Sequence, residues 1–231
     1  MLNTLTNNAS SADNHAGKIQ YGYAFDKVNK AYLFGVYLGD GCCSKFTNHH
    51  CFTIISEDKD VIERTRDIIN LFLNKNYPLT YLTPNKTKLY KFRSWNKQLF
   101  EILVSETADK TKIPETIVNS KVQTIREFIA GLMDTDGYIS VGINKVGQQR
   151  FSLGFVNSGE WLDQFIVLLK QIGVKVGKKT LKKKYRSAKE RDCYQININL
   201  RSFIDSGLYF NCRRKQLTLE QYKLSVKFQS Y

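Results

Sequence analysis

Two stretches of this 231-residue chain close on the same acidic phrase: LFGVYLGDG at 33–41 and, 96 positions later, IAGLMDTDG at 129–137. Each carries small residues four apart, Gly35 and Gly39 in the first, Gly131 and Thr135 in the second. On a helix these share one face, so two such helices can pack with their backbones close together. Joined across an approximate twofold axis, they would set the carboxylates of Asp40 and Asp136 side by side at one end. The C-terminal end of a helix dipole is negative and disfavours a carboxylate, and two carboxylates together repel. A divalent cation offsets that repulsion, and hard oxygen ligands with open positions suit Mg²⁺ (or Mn²⁺). One Asp-Gly is ordinarily a turn. Two matched copies on small-residue faces point instead to a shared metal site. Gly41 and Gly137 are expected to end the helices in a positive-φ conformation.

The elements around the two phrases repeat as well. In the first half, periodicity predicts a helix over 28–39, a loop rich in Cys, Asn and His, a strand CFTIIS at 51–56 and an amphipathic helix over 60–73. Strands at 78–82 and 88–94 follow, joined through TPNK, and then a helix over 95–104. The connector ETADKTKIPETIVNSK reads as a surface linker. The second half predicts a helix over 123–135, strands at 138–144 and 150–157, a helix over 160–172 ended by Gly173, strands near 174–184 and 192–199, and helices at about 200–207 and 212–225. The fold class expected is α+β, two pseudo-symmetric halves with boundaries at 19–108 and 123–231. Between them lies a linker at 109–122, and residues 1–18, rich in Asn, Ser and Thr, form a disordered lead.

Thirty-five Lys and Arg against 21 acidic residues give a net charge of +14, a field that attracts polyanions and makes nucleic acid the first partner to consider. Hydrophobic residues make up 42% of the chain, enough for a core, with no uncharged apolar run of about 18 residues that could span a bilayer. No membrane partner is expected. The five cysteines at 42, 43, 51, 193 and 212 form no CxxC pair and are odd in number, which argues against a secreted disulfide framework and for a reducing compartment. Cys42, Cys43, His49, His50 and Cys51 cluster, but their spacing matches no closed zinc site.

IAGLMDTDG, together with the looser LFGVYLGDG, resembles the signature of the LAGLIDADG homing endonucleases, and the element order of both halves extends the resemblance over roughly 28–225. The stretch IPETIVNSKVQTIREFIAGLMDTDG resembles intein-borne and freestanding members. The resemblance implies a monomer of two αββαββα halves, with the motif helices at the interface and a saddle-shaped antiparallel sheet in each half lying along double-stranded DNA. It implies Asp40 and Asp136 as catalytic metal ligands, with the backbone carbonyls of Gly39 and Thr135 beside them. It also implies a Lys near each cut, for which Lys112 and Lys215 are the candidates and Lys110 a neighbour able to replace Lys112. Ser56 and Asn157, at matching strand ends, are candidates for positioning solvent. The first phrase has Leu38 where the second has Asp134, and Asp134 reads as a structural residue at the helix end.

Strand alternation divides inward from outward residues. With Ile139, Val141 and Ile143 inward, Tyr138, Ser140 and Asn144 face outward. With Phe151, Leu153 and Phe155 inward, Arg150 and Ser152 do. Lys91 and Arg93 alternate with Tyr90 and Phe92, and Gln195, Asn197 and Asn199 with Ile196 and Ile198. Together with Lys45 and Thr53 these make a base-reading face, while Lys182, Lys184 and Arg186 in the basic run suit the backbone. Host intron RNA, bound by a maturase on the same scaffold, is the alternative partner, and a non-catalytic regulator a second rival. The retention of both aspartates favours cleavage. A self-splicing intein is disfavoured because the chain opens on Met and ends in FQSY. The location expected is intracellular, in a compartment that holds DNA.

Overall fold

A computed structural model describes residues 26–82, 88–183 and 192–228. The lead at 1–18, the TPNK turn at 83–86, Lys184 and Arg186 lie outside them. The first half runs α1 (Lys27–Leu38), β1 (Cys42–Phe46), β2 (His49–Ser56), α2 (Lys59–Leu73), β3 (Leu79–Leu82), β4 (Leu89–Trp95) and α3 (Lys97–Glu106). A short α4 (Glu115–Val118) leads into α5 (Val122–Thr135), β5 (Gly137–Ile143), β6 (Gln149–Asn157), α6 (Leu162–Gln171), β7 (Thr180–Lys183), β8 (Cys193–Ile198), α7 (Leu200–Asp205) and α8 (Arg213–Phe228). Each half holds a four-stranded antiparallel sheet in the same order, β1-β2-β4-β3 and β5-β6-β8-β7. This is the α+β architecture that the repeated sequence pattern predicts.

The register fixes which residues correspond. Cys42 faces Thr53, which faces Arg93; in the second sheet Tyr138 faces Gly154, which faces Asn197. Three residues beyond the middle partner stand Ser56 and Asn157, paired with Tyr90 and Tyr194. The symmetry therefore holds residue by residue across the centre of both sheets.

Helix α1 starts where the Asp26 carboxylate accepts from the amides of Val28 and Asn29, satisfying donors that the first turn leaves free. Every residue from Ala31 to Leu38 is buried, as expected of a helix that is apolar on all sides. Its partner is α5. A Cβ on Gly35 would lie 2.2 Å from the Phe128 carbonyl oxygen, and one on Gly131 2.3 Å from that of Tyr32. The backbones touch, and only glycine fits at the crossing. One core continues from this pair into both sheets.

Four details of the sequence reading are corrected. The Cys-, Asn- and His-rich loop is strand β1 and its hairpin, turning at Thr47 with φ 44°; its few apolar residues hid the strand pattern. Gly41 and Gly137 are absent from the positive-φ residues. Their need for glycine is steric, since a Cβ would lie 2.7 Å from the Cα of Tyr37 or 2.6 Å from the Met133 carbonyl oxygen. The connector is not purely a surface linker, because it buries Ile113 and Ile117 in the core. Val141 and Ile143, expected inward, are 40% and 77% exposed, because the β5–β6 hairpin runs past the edge of the core. Gly173 does end α6, at φ 87°, with the Val174 amide bonded back to Leu169, a left-handed C-cap.

Candidate metal centre and sheet face

The two motif helices end together. A Cβ on Gly39 would fall 2.1 Å from Thr135 Oγ1 and 3.0 Å from Asp136 Oδ2, so the Asp136 carboxyl reaches across to the end of the opposite helix, beside Asp40. Burial pushes the Asp136 pKa up to about 7, and the neighbouring Asp40 charge adds to the rise. Asp40 sits in a recess that desolvates its carboxyl and raises its pKa, against Lys215 and Lys110, although part of the residue stays open to solvent. Asn157 Nδ2 donates to Asp136 Oδ2 at 2.8 Å, which fixes that oxygen and leaves the other available.

Ser56 stands at the matching position but makes a different bond. Its hydroxyl accepts from the Asp58 amide at 3.1 Å, just as Asn157 Oδ1 accepts from the Gly159 amide at 2.5 Å. The turn is shared by the two halves. A second hydrogen bond, to the motif carboxylate, is seen only for the longer Asn side chain.

Each helix end also receives a lysine. Lys110 Nζ donates to the carbonyls of Gly39 and Gly41 at 2.8 and 2.9 Å. Lys215 Nζ donates to those of Met133, Asp134 and Thr135 at 3.0, 2.6 and 3.2 Å. Cations at the negative ends of two helix dipoles satisfy carbonyls that have no partner within the helix. Burial lowers the pKa of both lysines; the two aspartates oppose this at Lys110, as Cys212 and Asp134 do at Lys215. Lys112, the residue favoured from sequence, instead reaches Glu115 at 3.7 Å, so Lys110 takes its place. The carbonyls of Gly39 and Thr135 each already accept from a lysine and retain one lone pair.

The side chain of Asp134 is buried. It accepts from Tyr32 Oη and from the amides of Asn211 and Cys212, each at 2.9 Å, and burial raises its pKa to about 6 against those bonds. The two amides open α8, so Asp134 anchors the helix that carries Lys215. Asp58 completes the anchor by accepting from Arg214 Nη2 at 2.9 Å, and Asp60 accepts from the Arg213 amide. Sequence reasoning missed this contact between α2 and α8, because the partners lie more than 150 residues apart. Among the described residues, Asp58, Asp60 and Cys212 form the group of side chains close enough to share a metal ion, and the arginine contacts account for its two carboxylates. Cys42, Cys43 and Cys51 are free thiols and join no such group.

The outward sheet faces gather most of the residues chosen from alternation. Arg93, Ser140, Arg150, Ser152, Lys182 and Asn197 are exposed, and Thr53, Lys91, Tyr138 and Gln195 partly so. Three choices fall elsewhere. Lys45 pairs with His50, whose ring packs on Phe100 of α3 at 4.8 Å, so Lys45 belongs to the helix-bearing face. Asn144 folds its own turn, accepting from the amides of Val146 and Gln148 at 3.0 and 2.8 Å. Asn199 caps α7 by accepting from the Ser202 amide at 2.9 Å.

The oxygen chemistry fits a hard divalent cation: two mutually repelling carboxylates, one oriented by an amide, at a junction where ammonium groups hold the helix ends. Residues 123–206, within the second half, match the family model of the LAGLIDADG-like domain, and the first half repeats the sheet order of the second. The fold is similar to that of the homing endonuclease I-DmoI solved with DNA and Ca, at 19% identity and TM-score 0.54, over 78% of this chain and 86% of that one. It is also similar to the LAGLIDADG homing endonuclease I-GzeII in complex with its DNA target, at 11% identity and TM-score 0.50, over 88% and 91%. A curated relative, the Methanocaldococcus jannaschii protein "Probable translation initiation factor IF-2", is 24% identical over 210 residues. The match takes in 85% of this chain, which spans only 16% of that protein's length.

Proposed function

We propose that the protein is a site-specific, metal-dependent double-stranded DNA homing endonuclease that acts as a monomer, hydrolysing one phosphodiester in each strand of a long asymmetric target and leaving 3′ overhangs. The observation that carries this reading is the convergence of Asp40 and Asp136 at the paired ends of two glycine-packed helices, where the Asp40 charge adds to what burial costs Asp136 on ionising. The divalent ions named with DNA in solved I-DmoI complexes, Ca and Mn, support such chemistry here. Asp40 and Asp136 would hold Mg²⁺ or Mn²⁺, with Gly39 and Thr135 offering their remaining carbonyl lone pairs. A bound ion of this kind neutralises phosphate charge and lowers the pKa of attacking water.

The chain's own groups do the rest. Asn157 orients Asp136. Lys110 and Lys215 hold the carbonyl ends that set the spacing of the carboxylates, and their positive charge lies where the scissile phosphates would approach. The outward residues of the two sheets supply donors and acceptors to the major groove, and the net charge of +14 favours encounter with the duplex. A protein that only bound intron RNA would need neither carboxylate, so the pair tells against that reading. An intracellular compartment containing DNA belongs to the same proposal.

The test is a cleavage selection with purified protein, a randomised duplex library, and Mg²⁺ against EDTA, followed by sequencing of the ends. One long asymmetric site cut on both strands only with metal is expected. Binding without cutting, or retention of structured RNA alone, would overturn the endonuclease reading.

A further inference from the structure

At the symmetry-related centre of the two outward sheet faces, the polar groups differ in kind. In the second sheet Tyr138 lies flat over Gly154: a Cβ there would meet the Tyr138 hydroxyl oxygen at 2.5 Å. The tyrosine thereby crosses the middle strand and reaches β8. Gln195 Nε2 donates to Tyr138 Oη at 2.6 Å and to Asn197 Oδ1 at 3.1 Å, and Tyr138 Oη donates to Asn197 Oδ1 at 3.3 Å. A side-chain amide offers two N–H donors and one carbonyl acceptor. Within this closed set both Gln195 hydrogens and the Asn197 oxygen are engaged. What remains to face outward is the Asn197 amide as a donor and the Gln195 oxygen as an acceptor.

At the matching place the first sheet presents a guanidinium, which can only donate. Arg93, at the position matching Asn197, donates Nε to Thr53 Oγ1 at 3.3 Å and has its guanidinium 5.4 Å from the centre of the Trp95 ring. Thr53 stands where the second sheet has Gly154. The threonine and the tryptophan hold the stem of the fork, so its two terminal nitrogens point away as a pair of donors.

In the major groove, adenine shows an acceptor beside a donor, N7 and N6–H₂, whereas guanine shows two acceptors, N7 and O6. We infer that the two halves read different bases at equivalent positions, adenine under the Gln195–Asn197 pair and guanine under Arg93, and that Tyr138 sets the first preference by locking the amides. A guanine under the amide pair would bring its O6 against the Gln195 oxygen, and an adenine under Arg93 would leave one donor facing N6–H₂. This inference rests on the endonuclease reading but concerns base choice rather than cutting.

The experiment is selection of bound duplexes from a randomised library in Ca²⁺, by the intact protein and by Asn197→Arg, Arg93→Gln and Tyr138→Phe. The expected result is an adenine in one half-site and a guanine at the mirrored position of the other, each favoured on the order of tenfold to a hundredfold. Asn197→Arg should convert the adenine to guanine without altering the other half. Tyr138→Phe, which keeps the ring over Gly154, should relax the adenine preference alone. Tight binding with no preference at these positions, or a preference that Asn197→Arg leaves in place, would overturn the assignment and leave the endonuclease reading standing. Failure to select any duplex would overturn both.

Discussion

The two halves deliver the same ammonium group to the same place by different means. Lys215 rides on the first turn of α8, whose opening amides are held by Asp134 and whose arginines are tied to Asp58 and Asp60. Lys110 comes from a turn in which Ala108, Asp109 and Lys110 have φ of 45°, 51° and 68°. None of the three is glycine, and a left-handed backbone costs about 1–2 kcal/mol for each such residue. The half that carries Asp134 builds a capped helix; the half with Leu38 at that position builds a strained turn, steadied by Tyr37 Oη donating to Asp109 at 3.4 Å. What the duplication preserves is the bond from ammonium to carbonyl at each helix end, not the segment that supplies it.

The largest effects should come from the carboxylates, where the halves meet rather than differ. Asp40→Asn and Asp136→Asn should each abolish double-strand cleavage, by on the order of 10³-fold or more for loss of a charge clamp, while DNA binding stays within a few-fold. A plasmid carrying the selected target separates nicked from linear product. Linear product at the normal rate from either variant would break the idea that the two sites depend on each other.

Next in size is the helix crossing. Gly35→Ala drives a methyl into the Phe128 carbonyl with no flexible neighbour to give way, so the loss should exceed the usual range for overpacking and reach about 3 kcal/mol or more by urea denaturation. The lysines follow. Lys110→Met and Lys215→Met should each slow single-turnover cleavage by roughly ten- to a hundredfold, at or below the lower end of the range for one positioned catalytic group, because both ammonium groups are engaged by carbonyls. Lys215→Met should also destabilise the fold, by about 1–3 kcal/mol, because it strips the donor from buried carbonyls, and Lys110→Met should do so less, because its carbonyls are only part-buried. Lys112→Met should change neither; a loss of activity there equal to that of Lys110→Met would reverse the assignment.

A smaller effect concerns protons. The Asp136 carboxyl, with a pKa near 7 in the folded metal-free protein, binds its proton more tightly there than in the unfolded chain. Its contribution to stability is thus fully present below about pH 4 and is lost as pH rises through 7. Metal-free protein should lose stability over that window, Asp136→Asn should flatten the slope, and Mg²⁺ should bind more tightly as pH rises toward 8. Urea titrations at several pH values, with and without Mg²⁺, measure all three. A slope unchanged in Asp136→Asn would place the titrating group elsewhere.

Much of this was legible in the sequence because it is periodic or repeated. The Gly-xxx-small spacing foretold the helix contact, and strand alternation located Arg93, Gln195 and Asn197. What sequence hid has physical reasons. Strand β1 lacks the apolar alternation that marks a half-buried strand, since its outward face carries Cys42, Ser44 and Phe46 at the rim. The choice between Lys110 and Lys112 depends on three residues taking a left-handed backbone that no glycine signals. The bond from Asn157 to Asp136, which Ser56 does not match, is a matter of side-chain reach. Asn144 and Asn199 show the limit of alternation: an asparagine at a strand end can satisfy local amides instead of facing outward.

The smallest prediction returns to the turn that separates the halves. Ala108 is exposed and left-handed, so Ala108→Gly removes a steric cost of about 1–2 kcal/mol and adds backbone entropy to the unfolded chain worth about 0.5–1 kcal/mol. The net should be a gain of up to about 1 kcal/mol, whereas alanine to glycine at most sites is destabilising. Because the ammonium of Lys110 remains bonded to Gly39 and Gly41, cleavage should be slightly slower if the strain presses Lys110 onto those carbonyls, and unchanged if the turn only has to reach them. Urea denaturation and single-turnover cleavage of the one variant measure both. A clear destabilisation would mean that the left-handed run carries no strain, and the contrast between a relaxed helix and a tense turn would fall with it.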